Sequence, residues 1–297
     1  MISIFRLHTL PLSASGVILA SFLSYQHINS IDITTYWTIF FLTLVTVCFL
    51  QILSNLANDL GDYKKGTDNE SRLGPRRAIQ NGEISLTAFK RILIIFIILP
   101  IISGLALIYI SFESISNPNG LMMISLGGLS IIAAIKYTLG KGAYAYHGLG
   151  DIFVFIFFGL LSVCGTYFLM TGTLNWQILL PASSCGLLST GVLNINNMRD
   201  IDNDKAYGKN TIAVRLGTRK SKHYHSLLII TAFILVLIYY IYINISCLYI
   251  FITLPLFLIH LRAIYIKNGS ELNPQLKFLS LSTLAFCITV GYFVSKL

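Results

Sequence analysis

Long apolar runs constrain the fold of this chain more than any other feature of its sequence. A helix that crosses the hydrocarbon core of a bilayer needs about 20 mainly apolar residues. Nine segments come close to this length, at about 8–25, 36–57, 91–112, 120–138, 150–171, 176–197, 225–243, 247–265 and 276–295. Only 11% of the residues are charged, against about 25% in soluble domains. The sequence therefore predicts an all-α, polytopic membrane protein in which residues 1–297 form one domain.

The positive charges are sorted to one end of these spans. All 21 Lys and Arg residues except Lys296 lie before the first span or near the connections after spans 2, 4, 6 and 8. Cytoplasmic connections of membrane proteins carry an excess of Lys and Arg. We therefore predict an inside N-terminus and an outside C-terminus, in the cytoplasmic (inner) membrane of a bacterium. Topology accounts for the net charge of +9, so nucleic acid is not an expected partner.

Two inner connections are long, at about 58–90 and 198–224, and long loops in compact proteins are usually functional. Two short segments within them hold seven of the 12 acidic residues, namely Asp59, Asp62, Asp68, Glu70, Asp200, Asp202 and Asp204. Residues four apart lie on one face of a helix. That spacing places Asn58 beside Asp62 and Asn196 beside Asp200, so each cluster repeats the pattern Asn-xxx-Asp.

The repeat of this pattern four spans apart predicts two similar four-helix halves that face each other, with a ninth helix added. Asp200 and Asp204 are also four residues apart. Like charges at this spacing repel each other, unless a cation lies between them. Carboxylate and amide oxygens suit Mg²⁺, which commonly shares substrate phosphates. The two clusters therefore predict a Mg²⁺-dependent site that holds a diphosphate between the halves.

Three sequence elements resemble motifs of a known family, the UbiA superfamily of intramembrane aromatic prenyltransferases. Its two aspartate-rich motifs resemble Asn58-xxx-Asp62 with Asp68, and Asn196-Asn197-Met-Arg199-Asp200-xxx-Asp204; its Tyr-xxx-Lys element resembles Tyr137-xxx-Lys141. Within the superfamily, residues 55–68, 147–167 and 194–217 are most similar to the branch that acts on 1,4-dihydroxy-2-naphthoate in menaquinone biosynthesis.

The resemblance implies a reaction and a set of site residues. A polyprenyl group would pass from polyprenyl diphosphate to 1,4-dihydroxy-2-naphthoate, with loss of carbon dioxide and diphosphate, to give demethylmenaquinone. The implied metal ligands are Asn58, Asp62, Asp68, Asp200 and Asp204. The implied catalytic residues are Asp62, Asp200, Asp204, Lys141 and Tyr137. The implied substrate-binding residues are Asn58, Asn196, Asn197, Arg72, Lys209 and Asp151. Membrane lipid is the remaining expected partner.

Two alternatives stay open at the level of the sequence. Prenyl transfer to another aromatic acceptor, such as hydroxybenzoate or homogentisate, would use the same diphosphate site. A transporter coupled to ion movement would also carry acidic residues in a membrane protein. Such transporters bind their ions near the midplane of the bilayer, whereas the acidic clusters here follow the ends of spans.

Overall fold

The computed structural model describes residues 2–69, 72–75 and 77–296. Within these residues the chain is helical and contains no β-strand. Eight of the described helices are long and apolar enough to cross a membrane, and one further apolar helix is shorter. The predicted all-α, polytopic fold is confirmed. Glu70 and Arg76, two charged residues of the first long inner connection, lie outside the described residues.

Nine helices of 13 residues or more make up most of the described chain. They are α1 (Leu10–Ser24), α2 (Ile33–Lys65), α3 (Leu86–Phe112), α4 (Pro118–Lys136), α5 (Gly150–Thr171), α6 (Leu179–Arg199), α7 (Ile212–Tyr242), α8 (Leu254–Ile266) and α9 (Asn273–Val294). Short helical turns flank or connect them, at Ile2–Phe5, Leu7–Thr9, Tyr25–Ser30, Tyr144–His147, Trp176–Ile178, Ile201–Ala206, Cys247–Ile252 and Gly269–Leu272.

Two helices extend further into the inner connections than the sequence predicted. α2 begins after Asp32, whose carboxylate accepts a hydrogen bond from the backbone of Thr35, and it ends at Gly66 with φ of 73°. The backbone of glycine adopts this left-handed conformation without the steric cost that other residues bear. α7 likewise begins early, because Thr211 caps it, and its first five residues are set off by a kink at Gly217, where the backbone is not helical. The connections therefore run over about 66–85 and 200–211, and the first acidic motif starts on a helix.

The predicted eighth span, 247–265, is divided into two elements. The turn Cys247–Ile252 comes first, and α8 follows with Pro255 in its first turn. Proline is favoured at a helix start because its missing N–H is not needed there. The 13 residues of α8 measure about 20 Å at 1.5 Å per residue, which is less than the roughly 30 Å of a bilayer core.

The buried apolar residues form three clusters. One contains Leu53, Leu56 and Phe89 from α2 and α3, the largest is formed mainly by α1 and α5 to α9, and a small third cluster joins α2, α3 and α5. Glycine pairs allow close approach: a Cβ atom added to Gly159 on α5 would lie 2.5 Å from the Cα atom of Gly186 on α6. An apolar cavity of about 1050 Å³ is lined by helices of these clusters. Several residues of the site described next line this cavity.

Candidate functional site

The two acidic motifs meet beyond the ends of α2 and α6. The side-chain amide of Asn203 donates a hydrogen bond of 2.9 Å to the backbone oxygen of Thr67, and Asn69 donates one of 3.0 Å to Asn203. These bonds join the segment after α2 to the segment after α6. The structure thus brings the two predicted clusters together, although Asn69 and Asn203 were not among the predicted residues.

Lys209 lies between carboxylates of the two motifs. Its Nζ is 3.5 Å from Oδ2 of Asp62 and 3.9 Å from Oδ1 of Asp204. The backbone N–H of Lys209 also donates a 2.8 Å hydrogen bond to the backbone oxygen of Asp204. Burial opposes a charge on this amine, but Asp62 and Asp204 outweigh it and raise the pKa of Lys209. A permanently charged lysine therefore connects the two motifs.

Asp204 is the least compensated carboxylate of this group. Its burial raises its pKa to about 7, although Lys209 acts in the opposite direction. Asp200 and Asp62 add to the rise through their own negative charges. One amine thus faces two buried carboxylates.

Tyr146 holds Asp62 in place. Its hydroxyl donates a hydrogen bond of 3.0 Å to Oδ1 of Asp62 and lies 2.6 Å from the hydroxyl of Thr67. The amine of Lys65 lies 3.5 Å from the centre of the Tyr146 ring, a distance at which a cation is attracted to an aromatic face. The spacing of the motifs carries no signal for this contact between Tyr146 and Asp62.

Two arginines form ion pairs with Asp68 and Asp200. Arg72 lies 3.2 Å from Asp68 and 3.6 Å from Asp200, which joins the motifs a second time. Arg199 donates a 3.0 Å hydrogen bond from Nε to Oδ1 of Asp200. Burial opposes ionisation of Asp200, but Arg199 and Arg72 together lower its pKa below the usual value. Asp200 is therefore ionised, with its charge balanced by these guanidinium groups.

A third ion-pair group forms around Asp59, which the shared helix face did not include. Arg6 pairs with the carboxylate of Asp59, and Nε of Arg77 lies 3.2 Å from the same oxygen. Arg77 is also 3.8 Å from Asp68. Burial, followed by the charge of Arg72, lowers the pKa of Arg77 to about 9. The sequence contained no signal for this group, because Arg6 lies 53 residues from Asp59.

Several predicted residues line the apolar cavity beside these ion pairs. They are Asn58, Arg72, Tyr137 and Asn196. Oδ1 of Asn58 is buried and has no hydrogen-bond partner among the described residues. Oδ1 of Asn196 accepts a hydrogen bond of 2.8 Å from Arg199. The cavity therefore has a polar, charged mouth, and its deeper walls are apolar.

Asp62, Asp68, Asp200, Asp204 and Lys209 belong to the ion-pair cluster but do not line the cavity itself. Three further predicted residues lie outside both the cluster and the lining of the cavity. Lys141 is exposed in the connection after α4. Asp151 is buried at the start of α5, where its carboxylate accepts a hydrogen bond of 2.9 Å from Tyr224. Asn197 is buried, and its Oδ1 has no hydrogen-bond partner within the described ranges. The proposed roles of these three residues in substrate handling stay predictions.

The donor atoms of the site fit a magnesium ion in their chemistry. Asp62, Asp200 and Asp204 supply carboxylate oxygens, Asn58 supplies an amide oxygen that has no hydrogen-bond partner among the described residues, and Mg²⁺ takes oxygen ligands. In the described part of the chain, however, no three acidic, His or Cys side chains are arranged to enclose an ion, because cationic side chains occupy positions between the acids.

The fold and the site together define a polytopic membrane protein with a charged cluster at the mouth of an apolar cavity. Such an arrangement suits amphipathic substrates that carry an anionic head. The chain belongs to the UbiA prenyltransferase family, because the model of that family matches residues 13–287. The resemblance inferred from the motifs is confirmed, and family membership does not favour the transporter alternative.

Two curated relatives are similar over most of the chain. The 1,4-dihydroxy-2-naphthoate octaprenyltransferase of Haemophilus influenzae is 43% identical over 286 residues, which cover 94% of this chain and 90% of the relative. The protein of the same name from Escherichia coli is 46% identical over 226 residues, which cover 75% and 70%.

Solved structures share the fold at low sequence identity. A UbiA homologue from Aeropyrum pernix superposes with a TM-score of 0.68 at 16% identity, over 98% of this chain and 97% of the homologue. A UbiA homologue from Archaeoglobus fulgidus, bound to DMAPP and Mg²⁺, gives a TM-score of 0.58 at 17% identity, over 99% of both chains. At this identity the likeness concerns the fold alone.

Proposed function

We propose that this protein transfers a polyprenyl group from polyprenyl diphosphate to 1,4-dihydroxy-2-naphthoate. The products are demethylmenaquinone, carbon dioxide and diphosphate. The observation that carries this proposal is the joined cluster of acids and cations at the mouth of the apolar cavity. The names of the two curated relatives support the choice of acceptor.

The donor binds with its diphosphate at the cluster and its hydrocarbon chain in the cavity. Mg²⁺ is the proposed cofactor, with Asn58, Asp62, Asp68, Asp200 and Asp204 as its ligands, and when bound it neutralises charge on the diphosphate. The Mg²⁺ in the archaeal homologue supports this assignment. Asn196 and Asn197 offer amide groups to the same head group.

Cationic side chains assist the departure of diphosphate. As the carbon–oxygen bond breaks, negative charge develops on the leaving oxygen, and fixed positive groups stabilise it. We assign this role to Lys209 and Arg72, which already connect the two motifs, and to Lys141. The carbon–oxygen electron pair leaves with the diphosphate, and an allylic cation remains.

The apolar walls protect this cation from water, which would otherwise quench it. Tyr137 lines the cavity, and its ring is able to stabilise a nearby cation through its face. The ring carbon of the naphthoate that bears the carboxylate attacks the cation and forms the new carbon–carbon bond. The bond to the carboxylate then breaks, carbon dioxide leaves, and its electron pair restores the aromatic ring. Asp151 is proposed to orient the acceptor through its contact with Tyr224.

Purified protein tests this proposal directly. The assay supplies polyprenyl diphosphate with 1,4-dihydroxy-2-naphthoate or with hydroxybenzoate, each with Mg²⁺ or with a chelator. We expect prenylated product and carbon dioxide only with the naphthoate and Mg²⁺. Efficient product from hydroxybenzoate would contradict the acceptor assignment. Activity in the chelator would contradict the metal assignment, and substrate movement across sealed vesicles without product would favour a transporter.

A further inference from the structure

One wall of the cavity carries polar groups that the diphosphate chemistry leaves unused. Ser13 on α1 and Ser280 on α9 both line the cavity, and they are only 6% and 3% exposed. Neither hydroxyl has a hydrogen-bond partner among the described residues. Burial of an unpaired hydroxyl costs stability, so such groups in a cavity call for an explanation.

The two serines lie at the same depth in the bundle. Phe22 of α1 packs on Gly291 of α9, where an added Cβ atom would be 2.6 Å from the Cβ of Phe22. Gln26 also donates a 3.2 Å hydrogen bond to the backbone of Val294, so the two helices run in the same direction. From the Phe22–Gly291 contact, Ser13 and Ser280 lie nine and eleven residues back. At 1.5 Å per residue their depths differ by only about 3 Å.

Lys277 adds a positive charge to this wall. It lines the cavity on α9, three residues before Ser280 and four after Asn273, so the three residues share a helix face. Asn273 accepts a hydrogen bond of 2.9 Å from Arg199, which fixes Lys277 about one turn from the second acidic motif.

The arginines of the cavity are already engaged. Its four arginines all pair with aspartates, at Arg6, Arg72, Arg77 and Arg199. Within the described residues that line the cavity, Lys277 and His8 have no acidic partner. Of these two, Lys277 shares its helix with an unpartnered hydroxyl. An anionic group that binds at this wall therefore meets a charge that no protein carboxylate neutralises.

We infer that Ser13, Lys277 and Ser280 bind the aromatic acceptor, an ortho-hydroxy aromatic carboxylate. The two serine hydroxyls pair with the two ring hydroxyls, and the ammonium group of Lys277 pairs with the carboxylate. This inference rests on the proposed function and adds the part of the cavity that the acceptor occupies. It also explains selectivity, because a monohydroxybenzoate leaves one of the two serines unpaired.

Steady-state kinetics test the serines. In Ser13→Ala and Ser280→Ala, the KM for 1,4-dihydroxy-2-naphthoate should rise about 3- to 10-fold, the usual effect of one neutral hydrogen bond. The KM for the polyprenyl donor should stay within twofold. Ser130→Ala is the matched control, because Ser130 lines the same cavity and its hydroxyl already bonds to the backbone of Leu126 at 2.8 Å. An unchanged acceptor KM in both variants, or an equal rise for the donor, overturns the inference.

A second substrate isolates the charge of Lys277. Lys277 is exposed, so Lys277→Met should raise the KM for the naphthoate by about 2- to 5-fold, the effect expected for a solvent-exposed ion pair, and Lys277→Arg should restore most of it. With 1,4-dihydroxynaphthalene, which lacks the carboxylate, the variant and the wild type should bind equally. Lys90→Met, at an exposed lysine away from the cavity, controls for membrane-surface charge. An equal loss for both acceptors, or none for either, contradicts the pairing.

Direct binding separates this inference from the proposed function. Equilibrium titration of the full chain in lipid nanodiscs with 1,4-dihydroxy-2-naphthoate alone needs no turnover. Weaker binding by the Ser13→Ala/Ser280→Ala/Lys277→Met variant supports the wall as the acceptor site, even if the wild type forms no product. Equal binding by variant and wild type overturns the inference, even if the wild type is fully active.

Discussion

Lys209 and Asp62 are 147 residues apart in the sequence, yet the lysine amine lies 3.5 Å from the carboxylate. The same amine is 3.9 Å from Asp204. Asp62 belongs to the end of α2, whereas Asp204 and Lys209 follow α6. One buried side chain therefore provides the counter-charge for both motifs, and the position of each motif depends on it.

Removal of this charge should damage both stability and turnover. Lys209→Met leaves two buried carboxylates close together, and loss of one partner from a buried ion pair costs about 3–5 kcal/mol. We expect at least a 100-fold loss of prenyl transfer, the size reported for removal of one electrostatic stabiliser. Thermal unfolding and product formation measure the two effects. Lys205→Met, at an exposed lysine nearby, should change neither.

The acids themselves should be essential for turnover. Asp62→Asn and Asp200→Asn preserve size but remove charge, so we expect a loss of at least about 100-fold in activity with normal membrane insertion. Asp202→Asn is the matched control, since Asp202 is exposed beside the same cluster. Activity like that of the wild type in either test variant would rule out that residue as a ligand of the proposed metal site.

Periodic features of the sequence predicted the fold and the meeting of the two motifs. Apolar runs and sorted charges depend on local composition, so they predicted the helices well. The Asn-xxx-Asp repeat indicated that Asp62 and Asp200 face a common site, and Arg72 now joins their two motifs through Asp68 and Asp200.

The sequence did not predict in the same way which side chains pair with each other across the helix bundle. Asp59 is not part of the Asn-xxx-Asp pattern, yet Arg6 and Arg77 both pair with it. Tyr146 contacts Asp62 because the connection after α4 folds back over α2. Such contacts depend on tertiary packing, for which one sequence contains no periodic signal. The boundaries of α2 and α7 differ from the predicted ones for a local reason: α2 ends at Gly66 and α7 begins after its cap, Thr211.

The ion pairs of Asp59 with Arg6 and Arg77 should stabilise the folded protein. Asp59→Ala leaves Arg6 and Arg77 without this partner, and we expect a loss of about 3–5 kcal/mol in unfolding free energy. Asp32→Ala, which removes only the cap of α2, should cost about 1 kcal/mol. Denaturation in detergent measures both. In a double-mutant cycle with Arg77→Met, additive losses would show that Asp59 and Arg77 are not coupled.

Membrane orientation is the remaining prediction, and exposed connections allow it to be tested. The excess of Lys and Arg at one end of the spans predicts that this end faces the cytoplasm. In a background without the five native cysteines, single cysteines replace Ser116 before α4 and Lys205 after α6, both exposed. An impermeant maleimide should label Ser116→Cys in intact cells and Lys205→Cys only after permeabilisation. The reverse pattern would place the charged mouth of the cavity outside and overturn the predicted orientation.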